Sequence, residues 1–314
     1  MVRWPEVPVK PESPSSRSVE PPGEGQADET PNFLARRPVR TVDDLVLSAD
    51  VMARLDQAVR QLDYHTLLYE DWNLRKIDPH RTGTALNFYG ASGTGKSLAA
   101  EAIASRRGQL FIDVNYAEIE SKYVGDTSKH IVACFASAQE QQAVLVFNEA
   151  DSILGSRLSS VTQSADHSVN TSRAVMLSQL DSFTGLVIFT TNFPRNYDAA
   201  FVRRILFHVR FDLPDQPTRL RLWQKLIPDE IPRLEPVDLD ELAARSAGLA
   251  GGDIVNVVLA AAAGVVGRSE DERYLRTSDL DAEIDAIHRA RAEVGKSPSG
   301  PAVVSVDELD EVPA

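Results

Sequence analysis

Eight consecutive residues, Gly90-Ala91-Ser92-Gly93-Thr94-Gly95-Lys96-Ser97, have the types and spacing of a phosphate cradle. They fit G-x-x-x-x-G-K-[ST] without a gap. Gly90, Gly93 and Gly95 let the backbone curl so that successive N–H groups converge on phosphate oxygens. Lys96 brings a compact positive charge to the β- and γ-phosphates, and the Ser97 hydroxyl is a ligand for Mg²⁺. Ser92, Thr94 and Leu98 complete the run expected to touch the nucleotide, with ATP and Mg²⁺ as the expected cofactors. The flanks agree: Ala85–Tyr89 reads as a buried strand, and Ser97–Ala104 is rich in helix formers, so phosphate would meet a helix N-terminus.

Phosphate binding alone hydrolyses nothing; a water activator and charge stabilisers are also needed. The apolar run Ala143–Phe147 ends in Asn148-Glu149-Ala150-Asp151, the form of a Walker B strand, and Glu149 is placed to polarise an attacking water. The position before it is normally Asp, and here it is Asn148. With Ser97 as the metal's own ligand, an amide carbonyl can still accept a hydrogen bond from a Mg²⁺-bound water, but it brings no negative charge. Changes of this sort around a metal cost roughly 10–100-fold in affinity or activity. Val187–Thr191 is a further buried strand, and Asn192 at its end is expected to orient the water. Arg203 and Arg204 close a short helix before the last strand, where a guanidinium could reach a neighbouring subunit's γ-phosphate.

Five strand-like segments, 85–89, 110–114, 143–147, 186–190 and 206–211, alternate with helical patterns. That rhythm predicts an α/β fold, a parallel sheet covered by helices on both faces. Residues 41–79 show helical periodicity. Beyond Leu213-Pro214-Asp215 only helical patterns remain, near 215–226, 238–246, 251–267 and 278–292. The expected organisation is a Pro/Ser/Glu-rich disordered tail over 1–40, a nucleotide-binding domain over 41–213, a small helical lid over 214–293 and an acidic tail over 294–314.

The 314 residues carry a net charge of −13, with 43% hydrophobic residues. No basic stripe stands out, which argues against a duplex-binding surface. No run approaches 18 apolar residues, so no membrane span is expected. With a single cysteine, Cys134, no internal disulfide is possible and a cytoplasmic setting is expected.

Taken in order, these signatures resemble the AAA (AAA+) ATPase family, in its classical branch and as a single AAA module, over about residues 41–292. The resemblance implies a P-loop sheet of order 5-1-4-3-2 with a helical lid, and ATP bound between the subunits of a homo-oligomeric ring, usually a hexamer. It places Asp44, Leu45 and Val46 near adenine and Gly252 in the second-sensor region, without an arginine. Lys122-Tyr123-Val124-Gly125 resembles the family's first pore loop, which implies a protein client gripped by Tyr123, and residues 155–170 a second, flexible one. The expected function is an ATP-driven protein remodeller. Size and architecture are also similar to the Pch2-like remodellers of HORMA proteins in bacterial anti-phage signalling. A nucleotide-dependent switch that hydrolyses weakly because of Asn148 is the competing expectation, and a nucleic-acid-directed ATPase the less favoured one.

Overall fold

The strands are apolar at nearly every position because side chains leave both faces of the sheet into separate cores. On one face Leu86 and Phe88, Val144 and Val146, and Leu186 and Ile188 share a cluster with Leu55, Val59, Ala99 and Ile103. On the other face Leu145, Phe147, Val187 and Phe189 pack with Ile131, Phe135 and Met176. The two-residue period of a strand produces this division, and burial on both faces is the mark of a parallel sheet. Phe147 and Phe189 on neighbouring strands stack with ring centroids 5.6 Å apart.

The computed structural model describes residues 33–64, 67–77, 83–120, 126–155, 164–192 and 197–294. Its five strands are β1 (Thr84–Gly90), β2 (Phe111–Asn115), β3 (Val144–Asn148), β4 (Leu186–Thr191) and β5 (Ile205–Phe211). All pairings are parallel, in the order β2-β3-β4-β1-β5. Read from the other edge this is 5-1-4-3-2, as the resemblance implied. The segment before β1 forms α1 (Ala49–Asp63), and α2 (Lys96–Arg106) follows the glycine-rich loop. A short α3 (Tyr116–Ile119) precedes α4 (Asp126–Glu140), and α5 (Asp151–Leu154), α6 (Ser164–Ser182) and α7 (Ala199–Arg204) lie between the later strands.

After β5 come α8 (Gln216–Leu226), α9 (Leu239–Arg245), α10 (Gly251–Val266) and α11 (Thr277–Val294). They enclose a third core built on Trp223, Leu242, Ile254, Val257, Leu280 and Ile284, and Val46 packs against it from the strand-rich part of the chain. α8 begins where Asp215 accepts a hydrogen bond from Thr218 N, with Pro217 in the first turn. The buried Trp223 indole donates to Ser246 Oγ at 3.0 Å, so its one polar atom is satisfied inside the core. Burial pushes the Cys134 thiol up to about 12, so this cysteine serves as a packing residue.

Two expectations need correction. Composition assigned residues up to 40 to a disordered tail, but residues 33–40 are laid along the fold. Arg36 and Phe111 exchange backbone hydrogen bonds of 2.9 Å, and Gln141 binds both Ala35 N and Phe33 O. Val39 N and Arg40 N both donate to Glu101 Oε1. These backbone partners, with Phe33 and Ala35 seated on the core, offset the ordering entropy that the composition suggested. The second loop was expected to extend to residue 170, yet α6 begins at Ser164; residues 156–163 lie outside the described residues.

Candidate active site

β1 delivers the glycine-rich loop to the C-terminal edge of the sheet, beside the ends of β3 and β4. Gly90, Gly93 and Gly95 adopt φ of 145°, 74° and 96°. At Gly90 the requirement is doubly strict, because a Cβ there would lie 2.1 Å from the Phe211 carbonyl oxygen on β5. Thr94 Oγ1 closes the turn by donating to Ala91 O at 2.8 Å.

Lys96 is buried, and its Nζ donates to Gly90 O, Ala91 O and Asn192 Oδ1 at 2.8–2.9 Å. Burial pushes its pKa below the ordinary lysine value, while Asp151 opposes that shift. Asn192 is held in turn, its backbone N donating to Asp151 Oδ1 at 3.1 Å. The ammonium, the Asn192 amide and the Asp151 carboxylate thus form one continuous chain of partners. Glu149 follows β3 at φ 54°, a left-handed conformation that costs a non-glycine residue about 1–3 kcal/mol. Its exposed side chain lines the same cleft as Lys96 and Asn192.

The cleft has a volume of about 510 Å³. Leu45 and Val46 line one wall, and Ser92 through Leu98 form its floor with Asn148 and Glu149. α10 closes it from the lid side. Gly252 N donates to Gly93 O at 3.0 Å, and the glycine pair Gly251-Gly252 lets the helix start against the loop. Ser97 Oγ donates to Asn148 Oδ1 at 2.8 Å, and Thr190 Oγ1 to the same oxygen at 2.7 Å. A hydroxyl and an amide carbonyl side by side are hard oxygen donors, which fits Mg²⁺.

Of the predicted residues, Leu45, Val46, Ser92, Gly93, Thr94, Gly95, Lys96, Ser97, Leu98, Asn148, Glu149, Asn192 and Gly252 share this cleft. Gly90 is not among the lining residues, though its carbonyl accepts from Lys96 Nζ. Arg203 and Arg204 are not among its lining residues. Arg204 makes a bidentate ion pair with Asp181 on α6, at 2.7 and 2.8 Å, and donates to Ala200 O. That pairing holds its pKa above the ordinary arginine value. Arg203, one residue earlier on α7, is exposed. Lys122, Tyr123, Val124 and Gly125 lie outside the described residues.

Motif reading missed several groups. Asp151 and Thr190 fix Asn192 and Asn148. Arg221 donates to Leu47 O at 2.6 Å, and Lys225 binds Asp43 O, lacing α8 to the segment that lines the cleft wall. These bonds join residues more than 170 positions apart, so no local signal exposes them. A polar residue in the middle of an apolar strand was a usable signal in one case. Asn87 on β1 donates to Tyr197 Oη at 3.2 Å and lies 3.3 Å from His208 Nδ1 on β5. Tyr197 Oη meets Thr191 Oγ1, next to Asn192, at 2.6 Å.

Among the described residues, Asn87 Oδ1 and His208 Nε2 are buried without a partner. Burial therefore pushes the His208 pKa below the ordinary 6.5, with a backbone contact from Val202 opposing it. The unfolded chain takes up this proton first as pH falls, so the unfolded state binds more protons and stability declines with acidification. The melting temperature should drop as pH is lowered from about 6.5, and His208→Gln should flatten that part of the profile. An unchanged slope in the variant would remove His208 from the acid response.

The family model described as "ATPase family associated with various cellular activities (AAA)" matches residues 86–214, from β1 to just past β5. Over these residues the chain carries a domain of the AAA family of ATPases. It is 30% identical over 252 residues to the meiotic spindle formation protein mei-1 of Caenorhabditis elegans, covering 79% of this chain and 52% of mei-1. Human spastin is 30% identical over 225 residues, 65% of this chain and 35% of spastin. The 26S proteasome subunit RPT4 of Saccharomyces cerevisiae is 33% identical over 199 residues, 61% of this chain and 45% of RPT4. The chain thus spans about half the length, or less, of these relatives. The crystal structure of the FIGL-1 AAA domain superposes with a TM-score of 0.61 at 20% identity, over 85% of this chain and 93% of that one, a likeness of fold. Among the described residues no helix is long and apolar enough to cross a membrane.

Proposed function

We propose that this chain is an ATP-driven protein remodeller that assembles as a ring, completes each ATP site between neighbouring subunits and engages a protein client through the Tyr123 loop. The observation that carries the reading is the meeting of Lys96, Ser97, Glu149 and Asn192 in one cleft, with Arg203 and Arg204 outside it. In this mechanism Lys96 exchanges its carbonyl partners for phosphate oxygens. Mg²⁺ held at Ser97 and Asn148 would supply charge neutralisation on the β- and γ-phosphates. Glu149 accepts a proton from water as its oxygen bonds to the γ-phosphorus, and the bond to the β–γ bridging oxygen breaks. Asn192 orients that water, and arginine from the adjacent subunit neutralises the charge that builds up. Relatives named for spindle formation and for the proteasome support a protein client.

The test uses the Glu149→Gln protein with ATP and a fluorescently labelled unstructured polypeptide. Binding should depend on ATP and on assembly, and Tyr123→Ala should weaken it at least about tenfold, the loss of an aromatic anchor, while ATP affinity stays unchanged. Polypeptide binding that survives Tyr123→Ala would end the pore-loop reading. A strictly monomeric protein that hydrolyses ATP at full rate would end the ring. The neutral Asn148 favours a second reading, a nucleotide-dependent switch that barely turns over. Measuring steady-state turnover in Mg²⁺ separates the two, since the switch predicts negligible hydrolysis by the assembled parent protein.

A further inference from the structure

β2 carries a carboxylate to the metal end of the cleft. Phe111, Ile112 and Val114 are buried, whereas Asp113 stands at mid-strand with its side chain partly exposed. Its Oδ1 accepts a hydrogen bond from Asn148 Nδ2 on the neighbouring strand β3. Its Oδ2 accepts from Arg36 Nη2 at 2.7 Å, and the Arg36 guanidinium also lies over the Phe111 ring, 4.5 Å from its centroid. An ionised carboxylate only accepts, so it must take the NH₂ end of the Asn148 amide. The carbonyl end is then turned toward the hydroxyls of Ser97 and Thr190, both of which donate to it. A side cavity of about 160 Å³ is lined by Ser97, Asp113, Asn148, Glu101 and Arg40, and it shares Ser97 and Asn148 with the ATP cleft.

We propose that Asp113 is a positioning residue for the metal end of the ATP site, one that holds the Asn148 carbonyl toward Ser97 and supplies from β2 the negative charge the family pattern carries at position 148. The charge has moved one amide group outward, across a strand pair, instead of being lost. Coulomb energy falls only inversely with distance, so a carboxylate one amide away still acts on a divalent cation. The inference rests on the ATP-site assignment above and concerns which residues serve its cation. It also changes what Asn148→Asp should do. That substitution puts a second carboxylate against Asp113 in place of a donor, and the two repel. The productive change is the exchange of both residues.

The experiment titrates Mg²⁺ against binding of a fluorescent ATP analogue to the full chain, with EDTA as the metal-free reference. The proteins are the parent, Asp113→Asn, Asn148→Asp, the exchanged double variant and Arg36→Gln. In EDTA each protein supplies its own metal-free affinity, against which its Mg²⁺ dependence is read. Asp113→Asn should need about 10–100-fold more Mg²⁺ for half-saturation, the loss expected when a group supporting a metal site is removed. Asn148→Asp alone should not improve on the parent. The exchanged double variant should return to within about twofold of it. Arg36→Gln breaks the same ion pair but keeps the carboxylate, and should need no more Mg²⁺ than the parent.

A parent-like Mg²⁺ titration for Asp113→Asn would overturn the proposal. So would an exchanged variant no better than Asp113→Asn, or an Arg36→Gln that reproduces the loss, which would assign Asp113 to tethering the segment before α1. Should Asp113→Asn fold poorly, the exchanged variant preserves the same pair of groups and decides the matter alone. Failure of the parent to bind the analogue both with saturating Mg²⁺ and in EDTA would overturn the ATP-site assignment itself, and this proposal with it.

Discussion

Glu149→Gln is expected to lower ATP turnover by about 10²–10⁴-fold, the range contributed by a positioned general base, while ATP affinity changes little. The amide is isosteric with the carboxylate, so the unusual backbone at φ 54° should survive the substitution. The phosphate contacts assigned to Lys96 and the loop do not involve this side chain. Binding and chemistry therefore separate in one variant. Single-turnover hydrolysis and equilibrium binding, measured on the same preparation, check it. A variant that still turns over within a few-fold of the parent would move the water-activating role elsewhere, and Asp151, held against Asn192 N, would be the next carboxylate to examine.

The second large effect concerns Arg203 and Arg204. Neither lines the chain's own cleft, and Arg204 is braced by both oxygens of Asp181. If arginine acts on the neighbour's nucleotide, the double variant Arg203→Ala/Arg204→Ala should lose about 10³–10⁵-fold in turnover and keep its ATP affinity. Mixing supplies the sharper test. An Arg203→Ala/Arg204→Ala subunit retains Glu149, and a Glu149→Gln subunit retains both arginines. When the two inactive proteins are combined in equal amounts, about a quarter of the interfaces in a closed ring join an intact cleft to intact arginines. Activity should reappear to that extent. Two inactive proteins that stay inactive when mixed, despite forming mixed assemblies, would place the arginines in the cis site or outside the chemistry.

The legible parts of this protein share a physical property. The five strands are apolar on both faces, and their observed limits fall within about two residues of those read from hydropathy and turn residues. The cradle from Gly90 to Ser97 is contiguous, so residue type and spacing announce its chemistry without any fold. Order along the chain also located Glu149 and Asn192, because each directly follows a buried strand whose C-terminal end must lie at the sheet edge. The segment 33–40 was misread because its composition resembles the tail before it. Its anchors, Gln141, Glu101 and the Phe111 backbone, belong to other elements. Asn87 stood out as a polar residue inside an apolar strand, but its partners Tyr197 and His208 did not, since they meet it only once the sheet has formed.

By itself the sequence determined the sheet, the phosphate cradle and the identity of the residues at the strand ends, because hydrophobic periodicity and local backbone chemistry are encoded over a few residues. Only the tertiary structure decided how those residues are partnered. The parallel pairing of β2 with β3 sets Asp113 against Asn148, the end of β4 brings Asn192 onto Lys96, and α6 supplies the carboxylate that braces Arg204. Such contacts depend on strand register and helix docking across tens of residues, and charge and hydrogen bonding act through those distances in space, with no regard for separation along the chain.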